Sequence, residues 1–263
     1  MAKPKEISFR ISSKNTESLI NTLRDLSGID KKCTIKIDPE NTLLYSKVGV
    51  GSSINAFKSF VYKTNDLFEI SNFEDTINFI SSDSKELYRK LFILNSFKED
   101  NVGKFFYDEL GDNFFIDRIS LKAGNKLKLN FIGGDPMALN SKISVDIIKE
   151  TMDIDNSNFS FNLRSDDFLN IKKLSTTEIE NDIFYLNTVN KEDGNYYVSI
   201  GESAWDLILS EIDYKKQMTL SFPKKYFKNI SISGESVKVY VFDNMLMVSD
   251  DNSDMLISTE MSS

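Results

Sequence analysis

Apolar and polar residues alternate in short runs along most of this chain, the period-two pattern of strands buried on one face. The first set is Glu6–Ser12, Lys32–Asp38, Asn41–Val48, Ala56–Thr64, Asp75–Ser81, Lys104–Asp108, Phe115–Leu121 and Lys126–Ile132. The second is Asn158–Arg164, Asp182–Asn190, Asn195–Gly201, Trp205–Ile212, Gln217–Phe222, Val237–Phe242, Met245–Ser249 and Met255–Thr259. Turn chemistry divides them at Asp38-Pro39-Glu40-Asn41, Ala123-Gly124-Asn125, Asp193-Gly194-Asn195 and Asp243-Asn244. Four windows carry a helical period instead. Ser13–Ser27 puts Leu19, Leu23 and Leu26 on one stripe, and Asp83–Phe97 does the same with Leu87, Leu91 and Leu94. Ser165–Glu178 aligns Phe168, Ile171 and Leu174, and the short Pro223–Ile230 turns Tyr226, Phe227 and Ile230 inward. The order is strand, helix, three strands, repeated four times. This predicts an α+β protein of two similar domains, 1–135 and 158–263, each of two strand-helix-three-strand units. A connector over 136–157 joins them, with one amphipathic or extended piece at Lys142–Met152.

Composition narrows the chemistry. The 263 residues contain no histidine and one cysteine, Cys33. Triads built on histidine, His-ligated zinc and an internal disulfide are therefore excluded. No 18-residue apolar run is present, which argues against a membrane-spanning helix, and the polar start at Met1–Phe9 predicts no secretory leader.

The short motifs favour plain structural readings. Val48-Gly49-Val50-Gly51-Ser52-Ser53 lacks the Lys-Ser/Thr ending of a phosphate loop, so an inter-strand loop is expected. Gly133-Gly134-Asp135 reads as the turn that closes a domain. Asp250-Asp251-Asn252-Ser253-Asp254 lacks the glycine and terminal glutamate of a calcium loop and reads as a solvated hairpin turn. Asp166-Asp167 suits a helix N-terminus, and Trp205 suits a core. The expectation is no catalytic residues, no metal and no cofactor.

Charge is distributed unevenly. The chain is −8 overall, yet the windows 13–27, 83–98, 164–178 and 223–230 hold twelve basic residues against seven acidic ones. Such residues are either ordinary solvated helix-face cations or a DNA-facing surface, for which Lys14, Arg24, Lys85, Arg89, Lys90, Arg164, Lys172, Lys173, Lys224, Lys225 and Lys228 are the candidates. Basic helices on an acidic protein suit phosphate contacts without sequence readout.

The pattern resembles a DNA sliding clamp, a polymerase processivity factor of the tailed-bacteriophage type, similar in fold to proliferating cell nuclear antigen. Glu6-Ile7-Ser8-Phe9-Arg10-Ile11 followed by Asn15–Leu26 resembles the first strand and inner helix. Phe159-Ser160-Phe161-Asn162-Leu163-Arg164 leading into Ser165–Glu178 resembles the start of a second clamp domain. Met218–Phe222, Lys224–Lys228, Val237–Phe242, Met245–Asp250 and Met255–Thr259 resemble its close. The resemblance implies a homotrimeric ring with helices lining the hole. Its partners would be double-stranded DNA, a DNA polymerase, a clamp loader and further copies of itself, with no membrane. Partner peptides would enter a groove near the connector, here Ile147, Met245, Met247 and Ile257. Subunits would pair through strand edges, with Lys104–Asp108, Gln217–Phe222 and Asp182–Asn190 as candidates. The implied setting is DNA replication in the cytoplasm, that of the host cell if the chain is viral. The competing reading is a phage tail or neck β-protein with no DNA-encircling role.

Overall fold

The computed structural model describes residues 5–50, 53–71, 73–111, 113–136, 148, 150, 152–176 and 182–259. The chain divides into two compact units, residues 1–47 with 58–141, and residues 48–57 with 142–263.

The first unit opens with β1 (Lys5–Ile11), α1 (Ser13–Leu26), β2 (Cys33–Ile37), β3 (Asn41–Val50) and β4 (Ser53–Lys63). A single turn α2 (Thr64–Leu67) and a two-residue β5 (Glu69–Ile70) follow. Next come β6 (Ile77–Ser81), α3 (Ser84–Asn95), β7 (Asn101–Leu110), β8 (Asn113–Ala123) and β9 (Leu127–Ile132). The strand order is β4-β3-β2-β6-β8-β7-β1-β5, with β9 on the other side of β8. β6 and β8 pair parallel, whereas β1–β7, β7–β8, β8–β9 and β2–β3 are antiparallel.

Both long helices bury the leucines that their spacing predicts. Leu19, Leu23, Leu26, Leu87, Leu91 and Leu94 enter one core with Phe9, Phe79 and Phe105. Phe9 stacks on Phe105 at 4.0 Å between ring centroids. Gly103 lies opposite Phe9 in the β1–β7 register, and a Cβ there would meet the Phe9 ring at 2.4 Å. Only a glycine leaves the ring that space. The amide of the buried Asn101 donates to Thr16 Oγ1 at 3.1 Å, tying β7 to α1.

The second unit contains β10 (Phe159–Arg164), α4 (Ser165–Leu174), β11 (Ile183–Asn190), β12 (Tyr196–Gly201) and β13 (Asp206–Ile212). Then come β14 (Thr219–Pro223), α5 (Lys224–Phe227), β15 (Ser236–Val241), β16 (Met245–Asp250) and β17 (Ser253–Ser258). One strand order is β10-β15-β16-β17, continuing to the opening residues of β4, where the Ser258 hydroxyl donates to the Ile54 carbonyl. The other is β13-β12-β11-β14.

Strand, helix, three strands therefore recurs four times, as the alternation predicts, with α2 and β5 as an insertion. Two helices are shorter than their windows. α4 ends at Leu174, and α5 is a single turn that starts after Pro223, which still pairs in β14, and stops at Phe227. The amphipathic or extended piece Lys142–Met152 lies almost wholly outside the described residues. Two candidate edges are corrected. Lys104–Asp108 lies in β7, flanked by β1 and β8, and Asp182–Asn190 supplies β11, flanked by β12 and β14. Both have their backbone groups already paired.

Candidate nucleic-acid interface

α1 and α3 lie side by side in the first unit. The Ser13 hydroxyl donates to Asn95 Oδ1 at 2.8 Å, and the Arg24 guanidinium lies 5.9 Å from the Tyr88 ring centroid. The start of α1 thus meets the end of α3, and the helices run antiparallel. Each begins on a side-chain cap: Ser12 accepts from the Asn15 amide, and Asp83 accepts from the Glu86 amide. With the leucines in the core, the opposite faces carry Lys14 and Arg24 on α1, and Lys85 and Arg89 on α3. All four are exposed. Lys90 is half-buried, held at 2.5 Å by Glu86 one turn earlier, and turned 5.9 Å from the Phe131 ring toward β9. It is the least available of the five for a phosphate.

In the second unit the expected residues separate into three groups. Lys173 on α4 and Lys225 on α5 are exposed, and Lys228 just beyond α5 is half-exposed. Lys172 is half-buried, with its ammonium 4.3 Å over the Phe168 ring. Arg164 stands at the start of α4 with an exposed side chain, but its Nε donates to Asp167 Oδ2 at 2.9 Å. That hydrogen bond and charge hold the guanidinium even more firmly protonated than usual. Its fork is already satisfied in part.

Lys224 is a correction. It is buried, and its ammonium meets Glu202 Oε2 at 2.5 Å beneath the surface. The Phe184 ring lies 5.5 Å from that ammonium, and Trp205 packs edge-on against Phe184. Desolvating an ammonium is tolerated here because a carboxylate is buried with it. Lys224 therefore secures α5 to the turn between β12 and β13 and cannot reach a phosphate. The half-buried Trp205 belongs to the same cluster.

The expected peptide groove is corrected as well. Met247 and Ile257 are core residues, at 7% and 0% exposure, with Ile257 paired across from Leu246. Their side chains already fill the second unit's interior. Met245 is half-buried, and Ile147 lies outside the described residues. Asp250 serves a turn, accepting from the Ser233 amide at 3.0 Å. The expected loop at Val48–Ser53 is corrected: Gly49 lies within the end of β3 and Ser53 opens β4, and a Cβ on Gly49 would strike the Ser53 carbonyl at 2.1 Å.

No family model matches the sequence, and no curated protein does. Solved structures do. The chain superposes on the Helicobacter pylori beta clamp bound to a DNA ligase peptide with a TM-score of 0.62 at 12% identity, covering 98% of this chain and 67% of that one. It superposes equally on the DNA polymerase III beta chain of Streptococcus pneumoniae, with a TM-score of 0.62 at 12% identity, covering 98% and 66%. For A. fulgidus PCNA bound to the C-terminal region of FEN-1 the TM-score is 0.63 at 10% identity, covering 98% and 99%. The chain spans about two thirds of the length of the bacterial clamps and nearly the whole of the archaeal one. Four strand-helix-three-strand units in two compact bodies, superposing over nearly the full chain, give this protein the sliding-clamp fold.

Proposed function

We propose that this chain is a sliding clamp, a non-enzymatic processivity factor that closes as a homotrimer around duplex DNA and tethers a replicative polymerase. The observation that carries the reading is the segregation of charge on this fold. Exposed cations gather on the helix faces of a protein that is −8 overall. Phosphate contacts of this kind are individually weak, exchangeable and independent of base sequence, as sliding demands. A ring holds DNA by topology and needs no tight binding.

The match in length to a clamp chain of similar size supports three copies over two. Nearly all of this chain aligns with nearly all of A. fulgidus PCNA, so it supplies two domains where the longer bacterial chains have room for a third. A clamp loader would open the ring. Partner peptides of the sort carried by the ligase and FEN-1 complexes would bind beside the connector, with Met245 and Ile147 the remaining anchors from the expected groove. The setting would be the cytoplasm, that of the host if the chain is phage-encoded. The direct test is the mass in solution. Sedimentation at micromolar concentration should give three times 30.1 kDa. A stable 30.1 kDa species would refute the ring.

A further inference from the structure

The exposed face of α3 is not wholly polar. With Leu87, Leu91 and Leu94 in the core, Lys85, Arg89 and Phe92 recur at four- and three-residue spacing on the opposite side. Phe92 is 62% exposed, the most open aromatic side chain among the described residues. Seven residues separate it from Lys85, so the two stand on one line of the helix, about 10 Å apart along its axis. Ile93, also exposed, falls on the other flank, beside the Glu86–Lys90 ion pair.

α1 brings further cations to the same surface. Lys14 follows Ser13, and Phe92 lies one turn before Asn95, the partner of the Ser13 hydroxyl, so lysine and ring share one end of the helix pair. Arg24 stands by Tyr88, one turn from Phe92 on the side of Lys85. Four exposed cations, Lys14, Arg24, Lys85 and Arg89, therefore surround one exposed ring. Of the carboxylates within the two helices, Glu86 holds Lys90 and Asp25 meets Lys58 of β4 at 3.7 Å, which leaves Glu17 to oppose the four. Cations answer phosphates, but the phosphate backbone has no use for an aromatic ring. In a duplex the base faces are closed against one another, whereas an unpaired base offers its face to a side chain.

We propose that this face also holds unpaired DNA, with Phe92 stacking on a base while Lys14, Arg24, Lys85 and Arg89 follow the phosphates. The proposal rests on the DNA-facing reading of these helices and adds a single-strand contact at one point of it. Stacking is indifferent to base identity because every base has a π-face, so the contact remains compatible with sliding. It engages where duplex gives way to a single strand.

The test titrates the parent, Phe92→Ala and Phe92→Trp chains against labelled oligo-dT and a duplex of equal length, by fluorescence anisotropy over a salt series. Circular dichroism verifies folding, and sedimentation records self-association. Phe92→Ala should weaken oligo-dT binding about tenfold, the usual effect of removing a stacking ring. Its duplex affinity and its salt dependence should match the parent's, because no phosphate contact is lost. Phe92→Trp should restore oligo-dT binding, and its added indole emission should be quenched by the oligonucleotide. Unchanged oligo-dT affinity in Phe92→Ala, or equal losses on oligo-dT and duplex, would overturn the proposal and leave the clamp reading standing. So would altered self-association in Phe92→Ala, which would assign the ring to a contact between copies. A chain with alanine at Lys14, Arg24, Lys85 and Arg89 that keeps the parent's affinity for both ligands would overturn the proposal together with the DNA-facing reading.

Discussion

Lys224 and Lys225 are neighbours in sequence with opposite fates, and the difference is measurable. Replacing Lys224 by alanine strands the Glu202 carboxylate in the interior, which should cost about 3–5 kcal/mol in urea unfolding. Lys225→Ala, at an exposed site, should stay within about 0.5 kcal/mol. Equal effects would contradict the buried pair. No sequence pattern distinguishes the two lysines, because the phase of a one-turn helix and a carboxylate 22 residues earlier decide which is covered. Met247 and Ile257 were illegible for a similar reason: alternation marks apolar positions on strands without saying how deeply their face lies. Cys33 offers a second check. Burial pushes its thiol up to about 12, only partly offset by a hydrogen bond with Ser81. The folded protein should therefore resist thiol reagents at pH 8 and react when unfolded. In alkali the unfolded chain ionises this thiol before the folded one does. Stability should fall as pH rises from about 9 toward 12.

The larger elements were the most legible. Every alternating run has become a strand, and the leucine stripes of α1 and α3 are buried where their spacing puts them. The misses are α2 and β5, four and two residues long, too short for any period to register. Gly103 shows what periodicity cannot carry. It reads as a weak point in a strand, yet it makes room for the Phe9–Phe105 stack. Gly103→Ala should cost about 1–3 kcal/mol, the usual penalty for overpacking a core. The basic helix faces make a collective prediction. Alanine at any one of Lys14, Arg24, Lys85 or Arg89 should barely change DNA binding. All four together should weaken it clearly and flatten its salt dependence, by about 0.9 in the log–log slope for each phosphate no longer neutralised. An unchanged slope in that fourfold variant would remove these helices from the DNA surface.

At the scale of the molecule, repeat order was legible and assembly was not. A period-two strand looks the same whether one or both of its edges are paired, so only topology separates β7, enclosed by β1 and β8, from β9 and β13. A sliding clamp requires that copies of this chain enclose DNA and do not merely adhere to it. The most direct measurement lets dilute, dissociated protein reassemble in the presence of nicked circular DNA, washes at about 0.5 M salt to screen surface charge, and then cuts the circle once. Protein should stay on the closed circle through the wash and leave when the DNA is linearised. Equal retention on circular and linear DNA, or complete loss from both, would contradict the claim.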